Sequence, residues 1–130
     1  MAGIARLLLP VSLSLWASLA VAGDAERGRA LIADRTKSLC VLCHSVPGTP
    51  AHLQGSLAPD LRGVGARYSQ AELGAHITAP ERFNPETIMP AYARTEGLVN
   101  VNSGWQGKPV LQPGQIDDII AYLLTLKDMP

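Results

Sequence analysis

The chain is short of most of what a large self-sufficient core needs. Aromatic residues make up 5% of its 130 positions. It has two cysteines, too few for a disulfide scaffold. Neither sign of charge dominates, with 11 Lys and Arg against 11 Asp and Glu. The basic excess that phosphate-backbone binding requires is therefore missing, and nucleic acid is excluded as a partner. There are no repeats, charge runs or low-complexity tracts. Twelve glycines and ten prolines leave little unbroken length for a large sheet. Yet 47% of the residues are hydrophobic, which suits a folded chain rather than a disordered one. A small domain with so thin a core usually adds a disulfide, a metal or a cofactor.

The one long apolar run does not belong to that domain. Leu7 to Ala22 carries no charge, follows Arg6, and ends in Ala20-Val21-Ala22. This is the pattern of a secretory signal cleaved after Ala22. About 15 apolar residues interrupted by Pro10 fall short of the ~20 that a spanning helix needs. A single arginine rather than a pair points to the general secretory route. The domain is then residues 23–130, with no membrane span, a formal charge of −1 once Arg6 is removed, and five aromatics: Tyr68, Phe83, Tyr92, Trp105 and Tyr122.

The chemistry lies in Cys40-Val41-Leu42-Cys43-His44. A C-x-x-C-H string is the attachment pattern of a c-type haem. On one helical turn, positions i, i+3 and i+4 share a face. Two thiols can then form thioethers to the two vinyl groups on one haem edge, and the adjoining His44 swings beneath the ring towards iron. Three alternatives stand beside this. A thioredoxin-type redox pair lacks a surrounding βαβ pattern, a zinc site lacks a second cysteine pair, and a structural disulfide is favoured by export.

A low-spin haem needs a second strong ligand. Two methionines remain in the domain, and Met129 is penultimate, where termini fray. Met89 sits between Pro85 and Pro90, and Pro90 biases it to extended backbone. A pinned loop can aim a thioether at iron, and His/Met ligation raises the reduction potential. The alternatives are that Met89 fills a core gap, or that His52 or His76 ligates instead. His52 falls in a Gly/Pro-rich, solvent-facing stretch. His76 falls beside Leu73 and Ile77 on the apolar face of a short helix.

The remaining pattern is helical with long loops. Asp24 caps a first helix running to about Lys37, with Glu26 in its first turn. Gly28 inside it costs ~1 kcal/mol relative to Ala, which close approach by another helix would offset; simple tolerance of exposure is the alternative. Residues Gln115 to Lys127 place Ile116, Ile119, Ile120, Leu123 and Leu124 in one stripe. Pro113 suits that helix's first turn, Asp117 and Asp118 its N-terminal dipole, and Lys127 its C-terminal end. Tyr122 is a candidate for the space over Gly28. Ser69-Gln70-Ala71-Glu72 is a capping box for a helix ending before Pro80. Residues 45–67 and 81–112 are turn-rich and are expected to wrap the cofactor; Pro47 to Gly55 suggests no role. Trp105, in the long 96–112 segment, either anchors a partner beside the haem edge or packs inward.

From residue 23 onward the chain resembles the class I cytochromes c, in its Gly-containing first helix, C-x-x-C-H, distal Met loop and amphipathic last helix. Within them it is similar to the sulfur-oxidation monohaem cytochromes of the SoxX type. The segments that carry this are Pro59-Asp60-Leu61-Arg62-Gly63-Val64-Gly65, Asn84 to Tyr92, Thr95-Glu96-Gly97-Leu98, Gly107-Lys108-Pro109 and Ile119 to Leu126. The resemblance implies an all-α class I fold, few helices and long loops around one covalent haem c. It implies that Cys40 and Cys43 bind haem, that His44 and Met89 ligate iron, and that the Pro59 carbonyl orients the proximal imidazole. Arg67 would meet a haem propionate or stay solvated. It also implies a heterodimer with the haem protein SoxA in the periplasm. That complex, an L-cysteine S-thiosulfotransferase, couples thiosulfate oxidatively to a cysteine of the carrier SoxY. Sulfur chemistry is then SoxA's, this chain has no catalytic centre, and electrons leave to an acceptor such as a small cytochrome c.

Two other functions are open: a free monohaem shuttle to an oxidase or photosynthetic centre, and a sensor with a vacant distal side. The last requires Met89 not to bind. With Met89 as ligand, Met89→Ala abolishes the near-infrared methionine-to-iron band of the oxidised protein. It also lowers the potential by on the order of 0.1–0.2 V, a fraction of the range that axial ligands span. An unchanged band and potential would rule the ligand out.

Overall fold

The computed structural model describes residues 23–128; the signal segment and Met129 lie outside the described residues. Five α-helices and three 3-10 turns follow one another, with no strand among the described residues. The first helix, α1, spans Ala25–Ala33. Asp24 caps it by accepting from the Arg27 N–H at 2.9 Å. It stops short of Lys37 because Asp34 offers the chain a competing turn. Its Oδ1 accepts from the Thr36 N–H and hydroxyl at 2.9 and 2.6 Å, while its own N–H bonds back to Ala30 and Leu31.

Next come α2, Cys40–Cys43, and α3, Val64–Arg67. The turn-rich pattern gives no hint of α3. It starts after Gly63, whose φ of 70° lies in the left-handed region that glycine enters without steric cost. Helix α4, Gln70–Thr78, opens on the expected capping box, both halves formed between Ser69 and Glu72, and ends before Pro80. Helix α5, Pro113–Leu123, begins on Pro113. The 3-10 turns are Ala51–Leu53, Pro80–Arg82 and Ser103–Trp105.

Helix α1 packs across α5, and this is the main helix contact of the molecule. Ile116, Ile119, Ile120 and Leu123 are buried, with Leu124 half-buried beside them, and each fully buried side chain contributes about 1.5–3 kcal/mol. Gly28 is where the helices touch. A Cβ there would lie 1.9 Å from the Asp118 carbonyl oxygen, so no other residue fits without separating the helices. The α5 backbone at Asp118 and Ile119 takes this space, not Tyr122. Tyr122, one turn further along, borders a cavity of about 230 Å³ with Ile32, Val41 and Val46.

Asp118 also differs from expectation. It sits inside the buried stripe and locks the two helices rather than serving the α5 dipole. Its carboxylate accepts from the Asp24 N–H at 2.7 Å and from Arg27 Nε and Nη2 at 2.8 and 2.9 Å. The Arg27 guanidinium and the Asp24 amide hold its carboxyl below the usual carboxylate range. A depressed folded-state pKa adds stability above the unfolded value that is lost as pH falls through the folded one. Asp118→Asn should therefore cost about 2 kcal/mol at pH 7. The gap from wild type should close as urea melts are repeated at falling pH below 4; a gap independent of pH would contradict the charged lock.

Candidate haem attachment site

The segment between α1 and α2 is anchored by Ser38, which is fully buried and donates its hydroxyl to the Leu31 carbonyl at 2.7 Å. Leu39 then adopts a left-handed φ of 61°, uncommon for a side chain with a Cβ, and turns the chain into α2. Cys40 and Cys43 share this turn as unpaired thiols. Burial pushes the Cys40 thiol up, so it is held neutral. Among the described residues, no group of three or more His, Cys, Asp or Glu side chains is placed to hold a metal ion.

His44 leaves α2 in extended conformation. Its placement depends on a strip of chain laid along the attachment segment. The Gly55 N–H donates to the Val41 carbonyl at 2.8 Å, Ala58 to Cys43 at 2.9 Å, and Leu61 to Ser45 at 2.9 Å. Gly55 permits this, because a Cβ would lie 2.1 Å from the Leu42 carbonyl oxygen. Pro59, between Ala58 and Leu61, brings its carbonyl oxygen 2.7 Å from His44 Nδ1. A carbonyl only accepts, so Nδ1 carries the proton and Nε2 keeps its lone pair for a metal.

Pro47 to Gly55, which suggested no role, thus leads into this strip. Gln54 stiffens it, accepting from the Val46 N–H at 2.6 Å and donating to the Thr49 carbonyl at 3.1 Å. Arg67 braces the other end, donating to the Arg62 and Asp60 carbonyls at 2.7 and 3.2 Å. Its guanidinium is thus spent on the backbone next to Pro59.

Met89 comes from a separate loop, half-buried against the same hydrophobic cluster that Cys40 packs on. Its N–H donates to Thr87 Oγ1 at 3.1 Å. His52 is exposed. His76 stacks on Phe83, ring centroids 3.7 Å apart, and meets Tyr68 edge-on at 5.0 Å. Sequence reasoning missed Tyr92 as a site residue. It is buried, its N–H donates to the Ile77 carbonyl at 3.1 Å, and its carbonyl accepts from Leu111 at 3.2 Å. Burial and the nearby Cys40 thiol push its phenol well up. Its place three residues after Met89 was the available signal. Trp105 is 57% exposed and lines a groove of about 410 Å³ with Leu98, Val101 and Gln106, rather than packing inward.

Two thiols on one turn, an imidazole with its proton fixed on Nδ1 and a thioether in the adjoining core are the soft and borderline donors that haem iron and its vinyl groups require. The residues present fit haem c. The cytochrome c family profile matches residues 25–127. The chain belongs to the cytochrome c family. No curated protein matches this cytochrome. Among solved structures it is similar to a chain of the crystal structure of SoxXA from P. pantotrophus, with 31% identity and a TM-score of 0.75. The match covers 84% of this chain and 85% of that one. It supports a SoxX-type monohaem cytochrome c carrying one covalently attached haem, with the helical class I fold.

The brace on the Pro59 segment yields a direct test. Arg67→Ala should cost about 1–2 kcal/mol and lower the thermal midpoint by roughly 4–8 °C per kcal/mol for a domain of this size. An unchanged melting curve would show that the strip holds without it.

Proposed function

We propose that this cytochrome is the electron-transfer subunit of a periplasmic SoxXA-type pair, bound to a SoxA partner. That pair couples thiosulfate oxidatively to a cysteine of the carrier SoxY. The observation that carries this is the likeness to the SoxXA chain over 84% of the sequence, reinforced by the motifs from Asn84 to Tyr92 and at Gly107-Lys108-Pro109.

On this proposal Cys40 and Cys43 would form the thioethers, and His44 and Met89 would ligate the iron. The Pro59 carbonyl fixes the tautomer and direction of His44, which raises its basicity as a ligand. Haem c supplies a one-electron iron couple. Joining a thiol to thiosulfate releases two electrons, so the chain accepts and passes on one electron twice per coupling, to an acceptor such as a small cytochrome c. With His44 and Met89 both given to iron, this chain would offer substrate no place on the metal. Sulfur chemistry therefore belongs to the partner, and this chain's residues confine the ligands so that little has to move when charge changes.

Export is part of the proposal: residues 1–22 direct secretion by the general route and are cleaved after Ala22. Gly23, the residue after the proposed cleavage point, is packed on α5, where a Cβ would lie 2.1 Å from the Asp117 carbonyl oxygen. No helix among the described residues is long and apolar enough to cross a membrane.

The test is a pull-down of this chain from the periplasm of thiosulfate-grown cells, with haem staining. A second haem-staining polypeptide in about 1:1 ratio is expected. Recovery of this cytochrome alone would favour a free shuttle instead.

A further inference from the structure

The loop that carries Met89 is closed at its neck. The chain leaves the Pro80–Arg82 turn and comes back at Arg94, where the Arg94 guanidinium pairs with the Glu81 carboxylate. On the outgoing limb, Phe83 lies flat on His76 of α4, their planes 21° apart. On the return limb, the Tyr92 N–H reaches the α4 carbonyl of Ile77 at 3.1 Å. Between these anchors the loop is held by its own short contacts. Asn84 Oδ1 accepts from the Glu86 N–H at 3.0 Å, the Asn84 carbonyl accepts from the Thr87 N–H at 3.0 Å, and Pro85, Glu86 and Ile88 are exposed. The ion pair and the stack are each made without Met89 as a partner.

We propose that the Glu81–Arg94 pair and the His76–Phe83 stack are positioning contacts that set how firmly Met89 resists replacement by an external ligand. This rests on the proposed ligation of iron by Met89. A tethered ligand competes through its effective concentration, which falls as its tether gains freedom. Opening the neck lowers the effective concentration of the sulfur at iron and gives a soluble base the advantage. An exposed ion pair carries a small factor, about two- to fivefold, and an aromatic stack a comparable one, about two- to tenfold.

The experiment is an imidazole titration of the oxidised holocytochrome, followed by loss of the near-infrared methionine-to-iron band. Glu81→Gln and Arg94→Gln should each raise imidazole affinity about threefold. His76→Ala combined with Arg94→Gln should raise it about tenfold. Reversing the pair, Glu81→Arg with Arg94→Glu, should return it towards wild type. Asp118→Asn, which weakens the distant α1–α5 lock, should leave it unchanged and so separates local loosening from general destabilisation. A wild-type band with unmoved affinities in the neck variants overturns the positioning role, as does an equal rise in Asp118→Asn. A wild-type protein without the band overturns Met89 as ligand, and the positioning role with it.

Discussion

Backbone contact between α1 and α5 at Gly28 is the constraint on which the rest of this cytochrome depends. A small domain with five aromatics cannot hold two helices by bulk alone, so it brings them close enough that the main chains touch. Dispersion gains fall off steeply with separation, and the missing Cβ removes the atom that would hold the helices apart. Asp118 then converts proximity into register. One carboxylate satisfies both the Asp24 amide at the start of α1 and the Arg27 guanidinium, so α1 cannot slide along α5 without orphaning a charge. The chain leaves α1 through Asp34 and Ser38 straight into Cys40, and the position of the attachment turn is inherited from that crossing.

The surroundings of His44 are assembled by backbone rather than by side chains. Three amide-to-carbonyl bonds lay residues 55–61 along residues 41–45, and Pro59 meets His44 as a consequence of that alignment. Proline suits the position because it presents a carbonyl without an amide that would need its own partner. The loop that carries Met89 follows a different plan. It is rooted at both ends on or beside α4 and is free to be shaped by short contacts in between. His44 is thus continuous with the attachment segment, while Met89 is carried by a loop that the fold only tethers.

Much of this was legible in the residues. The C-x-x-C-H string, the Asp24 cap, the Ser69–Glu72 capping box, the α5 stripe and the close approach at Gly28 are local signals, each set by the spacing of a few side chains. The early end of α1 was not legible, because Asp34 supports a turn as readily as it tolerates a helix. Helix α3 was hidden by the glycine that starts it. The role of Gly55 was hidden because a lone glycine among turn residues gives no sign of the strand of chain it must lie against. Asp118 looked like a dipole partner because its charge suits a helix start; its actual partners are more than 90 residues away.

The sequence by itself determined the cofactor chemistry and the helical periodicity, since thioether attachment and amphipathic packing depend on spacings of three and four residues. Only the tertiary structure decided which backbone oxygen meets His44, what fills the space over Gly28, and where the Arg67 guanidinium goes. Those outcomes depend on pairing segments far apart in the chain, and the energy of such contacts exists only once the intervening loops have closed.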